Sequence, residues 1–537
     1  MIDKQIWVYD VETLRSVFTY SAINVDTNEV VQYVIHKDRN DIHSFIKHLK
    51  ECKGAVGFNC VNFDYPIIHK ILKFSDLSYT HYSADFIITF IYEEAQRIIE
   101  EQNKPDFNSV VAIKFRDVLI PQLDLFKLWH YNNKARSTSL KSLEISMNYP
   151  NVMEMPIEHT RDDITLEEIP SILKYNLNDV LATFEFYKKS KQKIDLRQDL
   201  NRTYNLNCLN FSDSKIGEQL ILKLYCDKTE KDFWEVKKQR TYRDKISFKD
   251  CILDYIQFES KEFQELLTYF KSQVITETKG AFAKSVVYKG FKYDYGTGGI
   301  HCCMKSGVYE SDNDYIMIDA YVGSLYPNLA IQNGFFIEHL GKEFTEVYKS
   351  IIDLRMEAKK AKNMTLSDGF KLAANSVYGK SNDINSFLYD PKFTMQITLN
   401  GQLLLTMLAE MLVNCIPDLT MLQINTDGIT VKIPKNQTVY YSEICTTWER
   451  MTKLNLEYAE YSKMVIRDVN NYLAVDVKGK VKYKGAFEVD KVVGSEPAYH
   501  KDNSFRIIPL AISEYFTKKT PIVETIKNHT NIYDYCG

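Results

Sequence analysis

The feature that most constrains the fold of this chain is a set of six short motifs in a fixed order, spread too widely for one small core. YDVET (Tyr9 to Thr13), NCVNFD (Asn59 to Asp64) and YNLND (Tyr175 to Asp179) come first. GSLYP (Gly323 to Pro327), KLAANSVYG (Lys371 to Gly379) and INTDG (Ile424 to Gly428) follow. A chain of 537 residues exceeds one ordinary core, and its length suggests roughly three or four domains. The motifs imply an early centre built from carboxylates and a later one that mixes Asp, Lys and Tyr.

Composition narrows the setting. A net charge of -4 gives no bulk attraction to phosphate, so a nucleic-acid surface has to come from locally clustered Lys and Arg. The 10 cysteines include no C-x-x-C pair or His/Cys ladder, and Cys302 and Cys303 are adjacent, which points away from zinc and from a disulfide framework and toward a reducing cytoplasm. Asp3, Lys4, Asp10 and Glu12 stand where a signal peptide needs an apolar core, and no uncharged apolar run reaches membrane-spanning length. The expectation is a soluble intracellular protein with no membrane partner. Aromatic residues make up 13%, a content that suits base stacking, although most of the 36 tyrosines are expected in cores and ordinary surface.

Residues 1 to about 190 alternate β-like runs (Ile6 to Tyr9, Ala55 to Phe58, Val110 to Phe115) with helical stretches such as Ile42 to Lys50, the pattern of an α/β domain. Residues 191–290 are polar and without a sharp motif, and read as a connecting region. Beyond them, the Gly-rich YGTGGIH (Tyr295 to His301) opens a segment with a strand expected at Tyr315 to Asp319. Lys349 to Lys362 and the helix containing Lys371 to Tyr378 form an expected helical hairpin turning near Asn363 to Asp368. Gln402 to Cys415 reads as an amphipathic helix, and Met421 to Ile433 as a β-hairpin turning at Thr426 to Gly428.

In a strand, side chains two apart face the same way, so Asp10 and Glu12 present two carboxylates from one strand end. Asp64 follows an apolar stretch, and Tyr175 and Asp179 share one face of a helix. Converging, the four carboxylates suit two divalent cations about 3.5–4 Å apart, one activating water and the other steadying a leaving 3′ oxygen, with Tyr175 orienting the water. Taken singly, D-x-E is usually a solvated strand end and Y-x-x-x-D an ordinary helix face. In the later centre, Lys371, Asn375 and Tyr378 form one helical stripe suited to a triphosphate and a nascent base pair. Arg355, Lys359, Lys360 and Lys362 are further phosphate candidates, although such runs are more often solvated faces. Asp427 lies in a tight turn where Gly428 is expected to leave room for a metal and a primer end.

The early motifs resemble the proofreading 3′-to-5′ exonuclease of DNA polymerases in its DEDDy form. That resemblance implies an RNase H-like domain, makes Asp10, Glu12, Asp64 and Asp179 metal ligands, and makes Thr13, Asn59, Phe63, Ser139 and Leu140 candidates for gripping a frayed 3′ end. The later motifs resemble the palm and fingers of family B DNA polymerases, particularly the compact phage type related to protein-primed enzymes. The resemblance implies Ser324, Leu325, Tyr326, Lys371, Asn375, Tyr378, Arg355 and Lys359 at a dNTP, with Tyr326 a gate against ribonucleotides and Asp427 a metal ligand. It also implies Gly298, Gly299, Lys482 and Lys484 (in KYKG) at DNA. The implied organisation is an exonuclease at 1–190, a connecting region at 191–290, palm at 291–340 and 381–495, fingers at 341–380 and a short or truncated thumb at 496–537. Mg²⁺ or Mn²⁺, two per site, primer-template DNA, dNTPs and phage replication factors are the implied partners of a cytoplasmic, phage-encoded monomer.

One departure bears on activity. The family's first palm aspartate falls at Tyr321, and the nearest carboxylate, Asp319, is two residues earlier and about 6–7 Å further back along the strand. Asp319 serves as a ligand only if a bulge or insertion shifts the register. Asn425 also stands where a second Asp is common, and the intervals between the later motifs are short, which puts protein priming and unaided strand displacement in question. The sequence therefore supports a proofreading DNA polymerase impaired at Tyr321. The alternatives are an exonuclease on an inactive polymerase scaffold and a non-catalytic DNA-binding factor.

Overall fold

The computed structural model describes residues 5–74, 82–104, 113–488 and 498–537. It is a mixed α/β chain of two compact units. The first comprises Met1–Asp213, Glu496–Ser504 and Ile532–Gly537, and the second Ser214–Ser495 and Phe505–Asn531.

The first unit is built on strands β1 (Ile6–Thr13), β2 (Val17–Asn24), β3 (Val30–His36), β4 (Arg39–Asn40), β5 (Gly54–Gly57) and β6 (Gln122–Asp124). Their order is β4-β3-β2-β1-β5-β6. The β1–β4 neighbours are antiparallel, and β5 and β6 run parallel to β1. Helices α1 (Ile42–Glu51), α2 (Asp64–Phe74), α3 (Ala84–Gln102), α4 (Leu125–Leu128), α5 (Leu140–Ser146), α6 (Ile169–Lys189) and α7 (Lys191–Tyr204) complete it. The period-2 alternation of β1 decides the rest. Trp7, Tyr9 and Val11 enter a core with residues of α1, α2 and α3. Val8 enters a second core with Val180, Phe184 and Phe186 of α6. Asp10 and Glu12 therefore belong to the face that α6 covers.

The second unit begins with α8 (Asp213–Thr229), α9 (Phe233–Lys238) and α10 (Lys261–Ser272), with the small pair β7 (Ile246–Ser247) and β8 (Val274–Ile275). Its main sheet holds β9 (Ala283–Tyr288), β10 (Phe291–Gly296), β11 (Gly299–Cys303), β12 (Gly307–Glu310), β13 (Tyr315–Val322), β14 (Thr420–Asn425), β15 (Gly428–Pro434), β16 (Leu456–Asp468), β17 (Asn471–Asp476) and β18 (Val481–Lys484). The order is β18-β17-β16-β13-β15-β14-β11-β10-β9, with β12 on β16. Helices α11 (Leu325–Gln332), α12 (Glu343–Lys360), α13 (Met364–Ser381), α14 (Pro391–Cys415) and α15 (Thr438–Thr452) accompany it, and α16 (Ile507–Lys518) and α17 (Ile522–Asn528) follow.

Several expectations change. Of the strand expected at Val110 to Phe115, residues 110–112 lie outside the described residues, and Phe115–Asp117 is a 3₁₀ turn. The helix expected at Gln402 to Cys415 starts at Pro391 and is buried almost all round rather than amphipathic. Asp390 caps it, accepting the Lys392 N–H, and proline fits the first turn. The helical hairpin of α12 and α13 turns earlier than expected, because Asn363 caps α13 by accepting the Leu366 N–H. Residues 191–213 belong to the first unit, and 496–537 is divided: Glu496–Ser504 and Ile532–Gly537 join the first unit, whereas α16 and α17 join the second. Among the described residues no helix is long and apolar enough to cross a membrane.

Candidate functional site

The early carboxylates converge. Asp124, buried at the end of β6, accepts the Asn59 N–H at 2.9 Å and the Val61 N–H at 3.1 Å, pinning the loop in which Asn59 takes a left-handed φ of 60°. That loop delivers Asp64 as the first residue of α2, where its Oδ1 accepts the Val11 N–H at 3.3 Å, beside β1 between Asp10 and Glu12. From α6, Asn176 Nδ2 donates to Asp10 Oδ2 at 2.7 Å, and Thr19 donates to Asn176 Oδ1 at 3.4 Å. Asp10, Glu12 and Asp179 each offer an oxygen within 4.8 Å of the others.

The electrostatics follow from burying like charges together. Burial, then Asp64, Glu12 and Asp179, push Asp10 well above the usual carboxylate range. Burial, then Asp179 and Asp64, do the same to Glu12. Burial raises Asp64 to about 7 and Asp179 to about 6, with a hydrogen bond from Tyr175 and the charge of Lys141 pulling Asp179 back. A buried set of oxygen donors that repel one another fits a hard divalent cation such as Mg²⁺ or Mn²⁺.

Sequence reasoning missed four contributors here. Asn176 holds Asp10 and Asp124 pins the loop before Asp64; Asn176 lies inside YNLND but has no role in the sequence reading, and Asp124 belongs to no motif. Lys141 lies 5.8 Å from the Tyr175 ring centroid, lowers both Glu12 and Asp179 by its charge, and is ion-paired with the exposed Glu154. Glu144, one turn on, is fully buried, and neither of its carboxylate oxygens has a hydrogen-bond partner among the described residues. Burial and Asp179 raise it to about 7. The K-x-x-E spacing after the capping Ser139 was the available signal. Of the expected grip residues, Ser139 caps α5 by accepting the Ser142 N–H at 3.1 Å, Asn59 accepts from Asn62 Nδ2 at 2.8 Å, and Phe63 packs on the core. Thr13 ends β1, and Leu140 starts α5, both part-buried.

The later centre is arranged differently. β13 pairs with β15 and β16 in unbroken register, Asp319 opposite Thr430 and Ala459, and Tyr321 opposite Gly428 and Glu457. The register shift that Asp319 needs to replace a ligand at Tyr321 is therefore absent. Asp319 is also occupied: Thr430 donates to its Oδ1 at 2.8 Å, Tyr461 donates to its Oδ2 at 3.1 Å, and Lys482 Nζ lies 3.7 Å from Oδ2. Tyr321 is hydrogen-bonded to Glu457, whose carboxylate reaches over Gly323, where an added Cβ would meet it at 2.5 Å.

Asp427 sits in the two-residue turn between β14 and β15, after Thr426 at φ 59°, and its carbonyl accepts the Val322 N–H at 2.8 Å. Burial and Asp319 raise its carboxyl, and Lys482 and Lys484 of β18 oppose this. The space beside Gly428 is taken by the chain itself, since a Cβ there would meet Tyr321 Cβ at 2.8 Å. That glycine serves the close approach of β13, not a cleft. Tyr326 packs on Tyr378 with ring centroids 4.4 Å apart and donates to the Gly298 carbonyl at 3.3 Å; Gly299 Cβ would lie 3.8 Å from the same hydroxyl. His301 meets Asn425 at 3.2 Å, so the Gly-rich segment joins the turn. Lys371 and Asn375 are exposed with Tyr378 part-buried on α13, opposite a buried face of Phe370, Ala373, Ala374 and Val377. Arg355 is part-buried and Lys359 exposed on α12, while Ser324, at φ 52°, precedes the buried Leu325 of α11.

No protein-family model matches the chain, and neither does any curated protein. Among solved structures, the family B DNA polymerase from the hyperthermophilic archaeon Pyrobaculum calidifontis is similar, with a TM-score of 0.45 and 13% identity over 89% of this chain. The chain spans 60% of the length of that polymerase.

Proposed function

We propose that the chain is a metal-dependent 3′-to-5′ DNA exonuclease of the proofreading type, carried on a family B polymerase scaffold whose nucleotidyl-transfer centre is impaired. The observation that carries the reading is the convergence of Asp10, Glu12 and Asp179, with Asp64 hydrogen-bonded into the same strand. Mg²⁺ or Mn²⁺ held by these carboxylates would supply an activated water and neutralise charge at the scissile phosphate. Tyr175, bonded to Asp179, is suited to orient that water, and Asn176 fixes Asp10. Lys141 adds a cation on the side of Glu12 and Asp179, suited to a phosphate oxygen. Thr13, Asn59, Phe63, Ser139 and Leu140 would border the frayed strand.

In the second unit, which we read as palm and fingers, Tyr326 and Tyr378 would meet the sugar and base of a dNTP, and Lys371, Asn375, Arg355 and Lys359 its phosphates. Gly298, Gly299, Lys482 and Lys484 would follow the primer. Asp427 would be the remaining metal ligand. A second reading, a working proofreading polymerase, is favoured by this assembly of Tyr326, Tyr378 and Asp427 and opposed by the occupied Asp319. The test of the nuclease is digestion of single-stranded DNA carrying a 5′ label: stepwise shortening with Mg²⁺ and none with EDTA is expected, and an intact strand in both overturns the reading.

A further inference from the structure

Glu144 is a carboxylate that the fold buries without satisfying. It is fully buried on α5, and neither of its oxygens has a hydrogen-bond partner among the described residues. Other groups fix the helix: Leu143 packs into the core with Val180 and Phe184 of α6, and the Glu144 carbonyl accepts the Tyr149 N–H at 2.8 Å. A carboxylate left in this way costs stability, and an amide or an apolar side chain of similar size would pack there at less cost. Packing alone thus gives no reason for an acid at this position.

The neighbouring charges give one. Asp179 and Glu154 repel Glu144, and Lys141 attracts it. Lys141 lies three residues earlier on the same helix, the spacing that puts two side chains on one face. The same ammonium lowers Glu12 and Asp179 by its charge and stands 5.8 Å from the ring centroid of Tyr175. Its ion pair with Glu154 lies at the surface: the Glu154 side chain is 86% exposed, and pairs of that kind hold a lysine weakly. Lys141 therefore stands between an exposed acid that solvent screens and a buried acid whose field is screened far less.

We propose that Glu144 is a positioning residue for Lys141: its buried charge draws the ammonium inward along α5, toward the carboxylate centre and a non-bridging oxygen of the scissile phosphate. Glu144 itself touches neither cation nor strand. The pairing stands on the geometry of α5 alone; its use in hydrolysis rests on the nuclease reading.

Two measurements on the full chain at pH 8 test these parts separately. The first needs no DNA and compares melting curves in EDTA for Lys141→Ala, Glu144→Gln and the double variant. Lys141→Ala should lower the transition by about 2–4 °C, because it leaves Glu144 uncompensated, and by at most half as much in the Glu144→Gln background. Glu144→Gln alone should melt no lower than the unsubstituted chain, whereas a residue that only supports the fold would lose stability. The second measurement is single-turnover removal of the 3′ nucleotide from 5′-labelled dT15 with Mg²⁺. Lys141→Ala should slow it about 10²-fold and Glu144→Gln about 10-fold, with strand affinity changed less than about threefold. The double variant should be no slower than Lys141→Ala. Glu144→Asp, which keeps the charge, should recover part of the loss, and Glu154→Gln should stay within about twofold of the unsubstituted chain. Equal melting losses on Lys141→Ala with and without Glu144 overturn the positioning role, as does a Glu144→Gln effect on rate that persists undiminished once Lys141 is gone. DNA left intact by the unsubstituted chain overturns the nuclease reading instead, and the melting comparison still decides the pair.

Discussion

Strands β1 and β13 carry the same device in two states. Each presents two polar side chains two residues apart, Asp10 and Glu12 on one and Asp319 and Tyr321 on the other. On β1 both are carboxylates, and α6 and α2 bring two more carboxylates to them. On β13 one is a phenol, and the other is saturated by Thr430, Tyr461 and Lys482. Charge tells the centres apart. In the first, anions are left facing anions, which costs stability until a cation arrives; in the second, the protein supplies its own cation and donors, and the carboxylate becomes part of the sheet.

The sharpest way to break this comparison is to remove a carboxylate from the first centre. Asp10→Ala or Asp179→Ala should slow removal of 3′ nucleotides about 10³-fold, on the order of 4 kcal/mol of transition-state stabilisation. Circular dichroism should show the fold intact. A variant retaining most activity would mean that hydrolysis occurs elsewhere. Converting the second centre toward the first is the complementary change. Tyr321→Asp, which also frees Glu457, should raise dNTP-dependent primer extension about 10²-fold over the unsubstituted chain; no gain would mean that the second centre fails for another reason.

How much of this was legible in the sequence differs between the centres for a physical reason. The D-x-E on β1, the D of NCVNFD and the Y-x-x-x-D on α6 are local patterns, readable from strand and helix periodicity. The lock on Asp319 is made by Thr430 and Tyr461, far away in sequence, and no local pattern announces it. The same holds for Asn176 and Asp124, whose partners lie on other elements. Helix α14 was misread because Gln402, Thr406 and Glu410 look like a solvent stripe. They are buried and satisfied instead, Gln402 by the Gly296 backbone, Thr406 by the Tyr295 hydroxyl at 2.9 Å and Glu410 by the N–H groups of Glu259 and Ser260. The division of 496–537 between the units is likewise tertiary: Tyr499 reads as any tyrosine until Trp129 and Phe186 surround it.

Smaller effects sharpen the contrast. Asn176→Ala, which frees Asp10 without removing a carboxylate, should reduce exonuclease turnover by about 10–100-fold, the usual cost of losing a partner that orients a metal ligand. Partial recovery in Asn176→Gln would fit an orienting role. A gentler test is pH. Asp64, Asp179 and Glu144 are raised in the folded chain, to about 7, about 6 and about 7, while unfolded carboxyls titrate near about 4. Between these values the folded state holds more protons, so without divalent cations stability should fall as pH rises through this window. Melting curves in EDTA should therefore show a lower transition at pH 8 than at pH 5.5, by about 2–4 °C for each kcal/mol. Mg²⁺ should recover more of it at pH 8 than at pH 5.5. Equal melting at both values, with no response to Mg²⁺, would mean that the carboxylates do not face one another as described.

The most direct test places both centres in one tube: a 5′-labelled primer on a longer DNA template, with Mg²⁺, in the absence and presence of all four dNTPs. The account predicts shortening of the primer under both conditions, hydrolysis at the first centre unopposed by synthesis at the second. Efficient extension when dNTPs are present would contradict the claim that Tyr321 and the occupied Asp319 impair the second centre, and a primer unchanged in both would contradict the proposed nuclease.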